Sequence, residues 1–234
     1  ESSRLHIVLA ITLAVPGGAT SFVLDYALWL TKQGHRVTLL AGEGTWLFTE
    51  AAKAGIPWIR IPWMQREIRP WLELPALFAL TKQLRTLKPD VIHLNSSKMG
   101  VIGSIAARLS RVPRVVYCIG GWAFLESIPS WKRRIYSIAE YLTAPLKDVI
   151  VCLHPNDVRA AQERNIHPKE GLRVIPNGVD IQLLDRLRLS RKEAREKLAI
   201  PQDAFVFGTI ANFYPAKDLP SYIRSATPVL QANP

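Results

Sequence analysis

The chain opens on Leu5-His6-Ile7-Val8-Leu9-Ala10-Ile11-Thr12-Leu13 and passes at once into Val15-Pro16-Gly17-Gly18-Ala19-Thr20. An apolar run of that length, closed by turn residues, reads as a strand buried on both faces. Ser21 to Gln33 follows, with Phe22, Leu24, Leu28 and Leu30 spaced as on a helix that packs against a sheet, and Thr20 or Ser21 is placed to cap it. A glycine pair at a strand-to-helix turn lets backbone approach a ligand closely. The first amides of the helix then point at that ligand, a natural place for phosphate. A tight turn that holds nothing is an equal reading of the glycines alone. A dinucleotide fingerprint needs a third glycine at fixed spacing, but Ala19 follows the pair and no G-x-G-x-x-G is present. The turn suits an anionic group other than NAD.

Outward from this turn, strands and helices alternate. Gly34-His35 stops the first helix, and Arg36 to Ala41 is a strand. Trp46 to Ala54 reads as a short helix and Trp58 to Pro62 as a strand. A loop rich in Trp and Arg fills Pro62 to Leu72. Leu74 to Leu87 is helical, and Lys88-Pro89-Asp90 turns it into the strand Val91 to Leu94. The helix Lys98 to Ser110, the strand Val112 to Ile119 and the helix Trp131 to Leu146 continue the series. Asp148 to Leu153 is a strand, Pro155 to Arg164 a helix and Leu172 to Ile175 a last short strand. This periodicity predicts an α/β fold, a Rossmann-like, doubly wound parallel sheet with helices on both faces. Ligands of such sheets sit outside the carboxyl ends of the strands. That singles out the loops at residues 16–20, 95–99, 120–127, 154–157 and 176–180.

The 234 residues are 48% hydrophobic and 21% charged, ordinary for a protein with a real core, but the formal net charge is +11. Nucleic acid, an anionic membrane surface or phosphorylated small molecules would each account for that charge. The basic residues are spread over several helices without a nucleic-acid motif, which speaks against nucleic acid. Trp58, Arg60, Trp63, Arg66, Arg69 and Trp71 interleave within one segment, and Trp131, Lys132, Arg133 and Arg134 open a later helix. Rings with cations beside them suit a membrane interface, or alternatively a core with a solubilised rim. Cys118 and Cys152 read as reduced core residues, and no Cys/His spacing suggests a metal. No signal peptide or membrane-length apolar run is seen, so a cytoplasmic protein is expected, with an option of peripheral attachment.

Beyond Asp180 the texture changes. Leu183 to Leu198 is highly charged and reads as a surface helix or linker. Phe205 to Ile210 reads as a fresh strand, Asn212 to Lys217 as a loop and Asp218 to about Gln231 as a helix. We therefore expect a first domain over residues 1–180, a linker over 181–203 and, over 204–234, the opening unit of a second, truncated Rossmann-like domain.

With these loops laid out, the chain resembles the glycosyltransferases of family 4, retaining enzymes of the two-domain GT-B fold. The likeness is carried by Gly17-Gly18-Ala19, Gly34-His35-Arg36-Val37 and Lys88-Pro89-Asp90-Val91-Ile92-His93. It continues through Val115 to Phe124, Asn177-Gly178-Val179-Asp180 and Ala211 to Asp218. The resemblance implies an acceptor-side first domain, a donor-binding second domain and chemistry in the cleft between them, without a metal or cofactor. Gly17, Gly18 and Lys217 would meet the diphosphate of a nucleotide-sugar donor, with Asn212 nearby. Ser96, Ser97, Lys98, Gly120, Gly121 and Trp122 would lie on the side of a lipid-linked or saccharide acceptor. Asn177, Gly178 and Asp180 would form the cleft floor at the hinge.

Two departures stand out. Gly120 occupies the place of a customary His before the Gly-Trp pair, and Asn212 that of a customary Arg before Lys217. A sibling GT-B enzyme such as a sugar-nucleotide epimerase, or a non-catalytic sugar-binding relative, is the alternative. Among single residues, His93 reads as a packed strand residue and His154 as a turn residue. Glu140 is either a buried hydrogen-bonding acid or a solvated one. Trp122 and Phe124 read as packing at a loop base, or else as a stacking platform for a sugar.

Overall fold

The structure is a computed structural model that describes residues 4–211, 213 and 217–232. Its strands are β1 (His6–Leu13), β2 (Arg36–Glu43), β3 (Trp58–Arg60), β4 (Val91–Asn95), β5 (Arg114–Cys118), β6 (Val149–Cys152) and β7 (Leu172–Val174). They form one sheet in the order β3-β2-β1-β4-β5-β6-β7, every neighbouring pair parallel. The connections are α1 (Gly18–Lys32), α2 (Trp46–Lys53), α3 (Pro70–Leu87), α4 (Ser97–Leu109), α5 (Ser130–Thr143) and α6 (Pro155–Gln162). The strand order reverses between β1 and β4, the switch point of a doubly wound sheet. The Rossmann-like reading of the sequence holds.

The pleat of β1 divides the core in two. Ile7, Leu9 and Ile11 pack with Val23, Ala27 and Leu30 of α1 and Leu47, Phe48 and Ala51 of α2. Val8 and Ala10, one residue out of phase, pack on the opposite face with residues of α3, α4 and α6. Successive side chains of a strand point to opposite faces, so an uninterrupted apolar run is what a strand covered on both sides requires. Close packing uses glycine at defined points. A Cβ on Gly100 would lie 2.5 Å from the ring of Tyr117, and one on Gly42 would lie 1.9 Å from the carbonyl oxygen of Met64.

Three local expectations need correction. Helix α1 starts at Gly18, not at Ser21, and no side chain caps it. The hydroxyl of Thr20 instead donates back to the carbonyls of Val15 (2.7 Å) and Gly17 (2.8 Å), because Thr20 is already inside the first turn. Helix α3 starts at Pro70, a residue suited to a first helical position, so the Trp/Arg loop is shorter than expected. The strand expected at Phe205 to Ile210 is not formed. A strand needs a neighbour for its amides, and among the described residues of that part of the chain there is no other strand.

The chain divides into two compact units, Glu1–Asn177 and Gly178–Pro234. The second holds α7 (Ile181–Leu187), α8 (Arg191–Lys197) and α9 (Leu219–Ala232). The expected charged linker is thus helical. A reciprocal capping box opens α8, Ser190 accepting from the Glu193 amide while Glu193 accepts from the Ser190 amide. Phe207 stacks on Tyr222 of α9 at 4.9 Å.

Candidate functional site

The parallel register brings Ile11 of β1 level with Asn95 of β4, so the two strands end side by side at the switch point. Two loops leave from there. The first leads through Val15-Pro16-Gly17 into α1, whose opening amides carry no side-chain cap. Among the described residues no atom lies within 4 Å of a Cβ placed on Gly18, so that backbone stands open. The second loop is a single residue, Ser96, between β4 and α4. Ser96 sits at φ 87 and ψ 148, a region that glycine adopts and other residues avoid. It is held there by Thr12, whose hydroxyl lies 2.7 Å from the Ser96 hydroxyl and whose amide donates to it at 3.4 Å. Asn95, buried beneath, donates to the carbonyls of Ala10 and His93 and locks the two strand ends together.

Behind Ser96 a polar chain runs into the core. The phenol of Tyr117 donates to Glu140 at 3.1 Å. Glu140 in turn accepts from Lys147 at 2.9 Å. Burial first, and then the Glu140 charge, pushes the Tyr117 phenol well above its ordinary range. Burial also lowers Lys147, against the opposing pull of Glu140. Glu140 is therefore the buried acid of the two readings, a structural anchor rather than a solvated helix position.

The remaining candidates separate. The ammonium of Lys98 donates to the carbonyls of Gln65 (2.9 Å) and Glu67 (2.8 Å) and pairs with Glu73 at 2.7 Å. It pins the Trp/Arg loop and does not point free into the crevice. Gly120 and Gly121 are exposed at the end of β5, and a Cβ on Gly120 would meet nothing. Trp122 is buried. Its indole donates to the Asp157 carbonyl at 2.8 Å and its ring stacks on Phe124 at 5.1 Å, so it packs beneath the loop and offers no open face. His154 accepts from the Asn156 amide and caps α6.

His93 is buried against Tyr26, and burial lowers its pKa to about 4, so it stays a neutral packed residue. Asn177 closes the first unit, while Gly178 and Asp180 open the second and lead into α7. Lys217 is exposed in the second unit, and Asn212 lies outside the described residues. Among the described residues no cluster of His, Cys, Asp and Glu is arranged to hold a metal.

Sequence reasoning missed Thr12 and the partners of Glu140, Tyr117 and Lys147, and it marked the loop at 95–99 without giving Asn95 a role. The polar pair Asn95-Ser96 directly after an apolar strand was a usable signal. Lys147, a lysine at the foot of a strand, carried none.

An all-parallel sheet with a glycine turn and a strained serine turn at its switch point is a Rossmann-like domain of the GT-B type. The family model of Glycosyltransferase Family 4 matches residues 16–183, and the chain belongs to that family. It is 30% identical over 175 residues to an Escherichia coli UDP-Gal:alpha-D-GlcNAc-diphosphoundecaprenol alpha-1,3-galactosyltransferase, covering 74% of this chain and 45% of that enzyme. Among solved structures, Anabaena HepE in complex with UDP and glucose superposes with a TM-score of 0.64 at 20% identity, over 84% of this chain and 50% of that one. The Neisseria meningitidis UDP-GlcNAc 2-epimerase bound to UDP-GlcNAc does so with a TM-score of 0.56 at 15% identity, over 85% of this chain and 55% of that one. The chain spans about half the length of the curated relatives it matches. No helix among the described residues is long and apolar enough to cross a membrane.

Proposed function

We propose that the protein to which this chain belongs is a glycosyltransferase that moves a hexose from a nucleotide diphosphate sugar to a lipid-linked acceptor with retention of configuration, in the assembly of a cell-envelope glycan. The observation that carries the reading is the switch-point crevice within a region, residues 16–183, that matches the family along its length. The E. coli relative's own name supplies a UDP-sugar donor and a diphosphoundecaprenol-linked acceptor. The Anabaena structure holds UDP and glucose.

In this reading the open amides at Gly17 and Gly18 face the donor phosphates, and Lys217 adds a cation to them. Ser96 and Ser97 lie on the acceptor side, and Gly120 and Gly121 offer backbone there. Asn177, Gly178 and Asp180 form the hinge over which the donor-binding domain begins. The bond from the anomeric carbon to the phosphate oxygen breaks, and the acceptor hydroxyl bonds to that carbon on the same face. The hydroxyl proton passes to the departing diphosphate. Donors aimed at the oxygen where charge develops favour the oxocarbenium-like transition state over the ground state. Attachment to the inner face of the plasma membrane follows from the lipid acceptor.

An epimerase is the second reading, since one superposes on the same fold. The family match and the closer superposition with HepE favour transfer. Incubating the full-length protein with UDP-hexoses and a polyprenyl diphosphate sugar decides between them. Anomeric NMR of the product should show the donor's configuration in the new linkage. An inverted linkage, or a donor isomerised without transfer, would sink the proposal.

A further inference from the structure

Helix α5 is inside out. Its core-facing side carries Glu140 and Thr143, both buried, with Tyr136 packed beside them. Its apolar stripe faces outward instead, with Trp131 at 62%, Ile135 at 52%, Ile138 at 47% and Leu142 at 64% exposure. Their spacing of four, three and four residues sets them in one line along the helix. A surface helix of a soluble domain turns such a line inward, so the arrangement asks for an apolar medium outside. Along one flank of the stripe lies a shallow cavity of about 270 Å³ lined by Phe124, Arg133, Arg134, Ser137, Ile138 and Arg164.

That cavity is strongly cationic. Arg164 stacks its guanidinium 4.5 Å above the Phe124 ring and donates to the Ala160 carbonyl. Arg133 donates to Ser130. Among the described residues no carboxylate lines the cavity, and Arg164 pairs with the exposed Glu163 at 3.7 Å. Ile138 belongs both to the cavity and to the stripe, so the two adjoin without a gap.

We propose that this cavity is a lipid-phosphate site. Arg133, Arg134 and Arg164 hold the phosphate of an anionic lipid headgroup while the α5 stripe enters the hydrocarbon boundary beside it. Phosphate is the chemistry three guanidinium groups recognise. The contiguous apolar line, with Trp131 at its end and Lys132 and Arg134 on either flank, selects a lipid as the carrier over a soluble anion. The Trp/Arg segment before α3 fits that role less well. Trp58 stacks on Phe48 at 4.6 Å, Arg60 lies over the same ring, and Arg69 is paired with Glu67. In naming a lipid the inference rests on the membrane-borne acceptor proposed above. Its test uses no donor, so failure of binding and failure of transfer are read separately.

The test is co-sedimentation of the chain with vesicles of phosphatidylcholine, alone or mixed with phosphatidylglycerol. The chain should pellet with the mixed vesicles at low salt. Arg134→Gln/Arg164→Gln should weaken that partition by about tenfold or more, and Trp131→Ser/Ile135→Ser by a similar factor. Arg85→Gln/Arg111→Gln, which removes the same charge elsewhere, should change it by less than about threefold. Circular dichroism should be unchanged, since these side chains are exposed except Arg164, which is half-buried over Phe124, so the Arg134/Arg164 variant is compared with the parent only where its melting curve shows it folded. Equal losses in the two arginine pairs would show diffuse attraction and overturn the site. Undiminished binding of the Arg134/Arg164 variant, or no pelleting with any vesicle, would overturn it too. Inorganic pyrophosphate that binds the chain without vesicles, while vesicles do not, would make it a site for soluble phosphate and end the lipid assignment.

Discussion

Lys147 and Glu140 form an ion pair of 2.9 Å with their side chains 0% and 4% exposed. It ties the end of α5 to the foot of β6, and through Tyr117 it reaches β5. Two charges taken out of water are held by each other and by the hydroxyls of Thr143 and Tyr117. Removing one partner leaves the other buried and unpaired. Lys147→Met should cost about 3–5 kcal/mol in urea unfolding. Adding Glu140→Gln, which removes the stranded charge and still accepts from Tyr117, should recover part of that loss. Additive losses in the double variant would show that the two residues act separately.

Ser96 combines an unfavourable backbone with a favourable hydroxyl, and two substitutions separate the effects. Ser96→Ala keeps the strain and loses the bond to Thr12, so it should destabilise by about 1 kcal/mol. Ser96→Gly loses the same bond but relaxes a conformation that costs about 1–3 kcal/mol. The glycine variant should therefore be the more stable of the two on thermal melting. The reverse order would mean that the turn is not strained.

His93 makes stability depend on pH. Its folded pKa is about 4 against an ordinary 6.5, with burial the cause. Between those values the unfolded chain binds more protons than the folded one. The contribution is therefore complete above pH 6.5 and is lost as pH falls toward 4, about 3 kcal/mol in all. Burial and Arg36 lower His6 too, so the slope belongs to both residues. Urea titrations should show a shallower fall in stability across this window for His93→Leu than for the parent. An identical slope would place the pH dependence elsewhere.

Glycines that look alike in the sequence should behave differently. A methyl group on Gly42 collides with the backbone of Met64, so Gly42→Ala should cost about 3 kcal/mol or more. Gly120→Ala meets nothing and should stay within about 0.5 kcal/mol of the parent. Melting curves of the two variants check both. Gly120→His should fold as well, which makes it a clean test of whether a side chain there alters turnover.

Lys217 is assigned to the donor diphosphate by the proposed function. Lys217→Ala in the full-length enzyme should lower turnover by about one to two decades, the loss of one charge-assisted contact of about 1.5–3 kcal/mol. Its side chain is exposed, so melting should be unaffected. Parental turnover in the variant would remove it from the site.

The parallel sheet, its helices and the loops at its carboxyl edge were legible in the residues, and so was the family. Periods of two and 3.6, apolar runs and glycine stops are local patterns, and local patterns suffice to make strands and helices alternate. The family motifs lie in those same loops. What lay beyond reach is set by pairs distant in the chain. Thr12 and Ser96 are 84 residues apart, and only the placing of β4 beside β1 makes them partners. Lys98 reads as a free cation until the loop 31 to 33 residues before it folds over and takes up its charge. Trp122 reads as loop-base packing or as a stacking platform until Phe124 and Asp157 close on it and decide for packing. Likewise, α5 has an amphipathic sequence, but which side of it faces the core depends on where Tyr117 and Lys147 put their polar groups. A local pattern records what each segment can form. Burial, and the charge it strands or satisfies, arises only when distant segments meet.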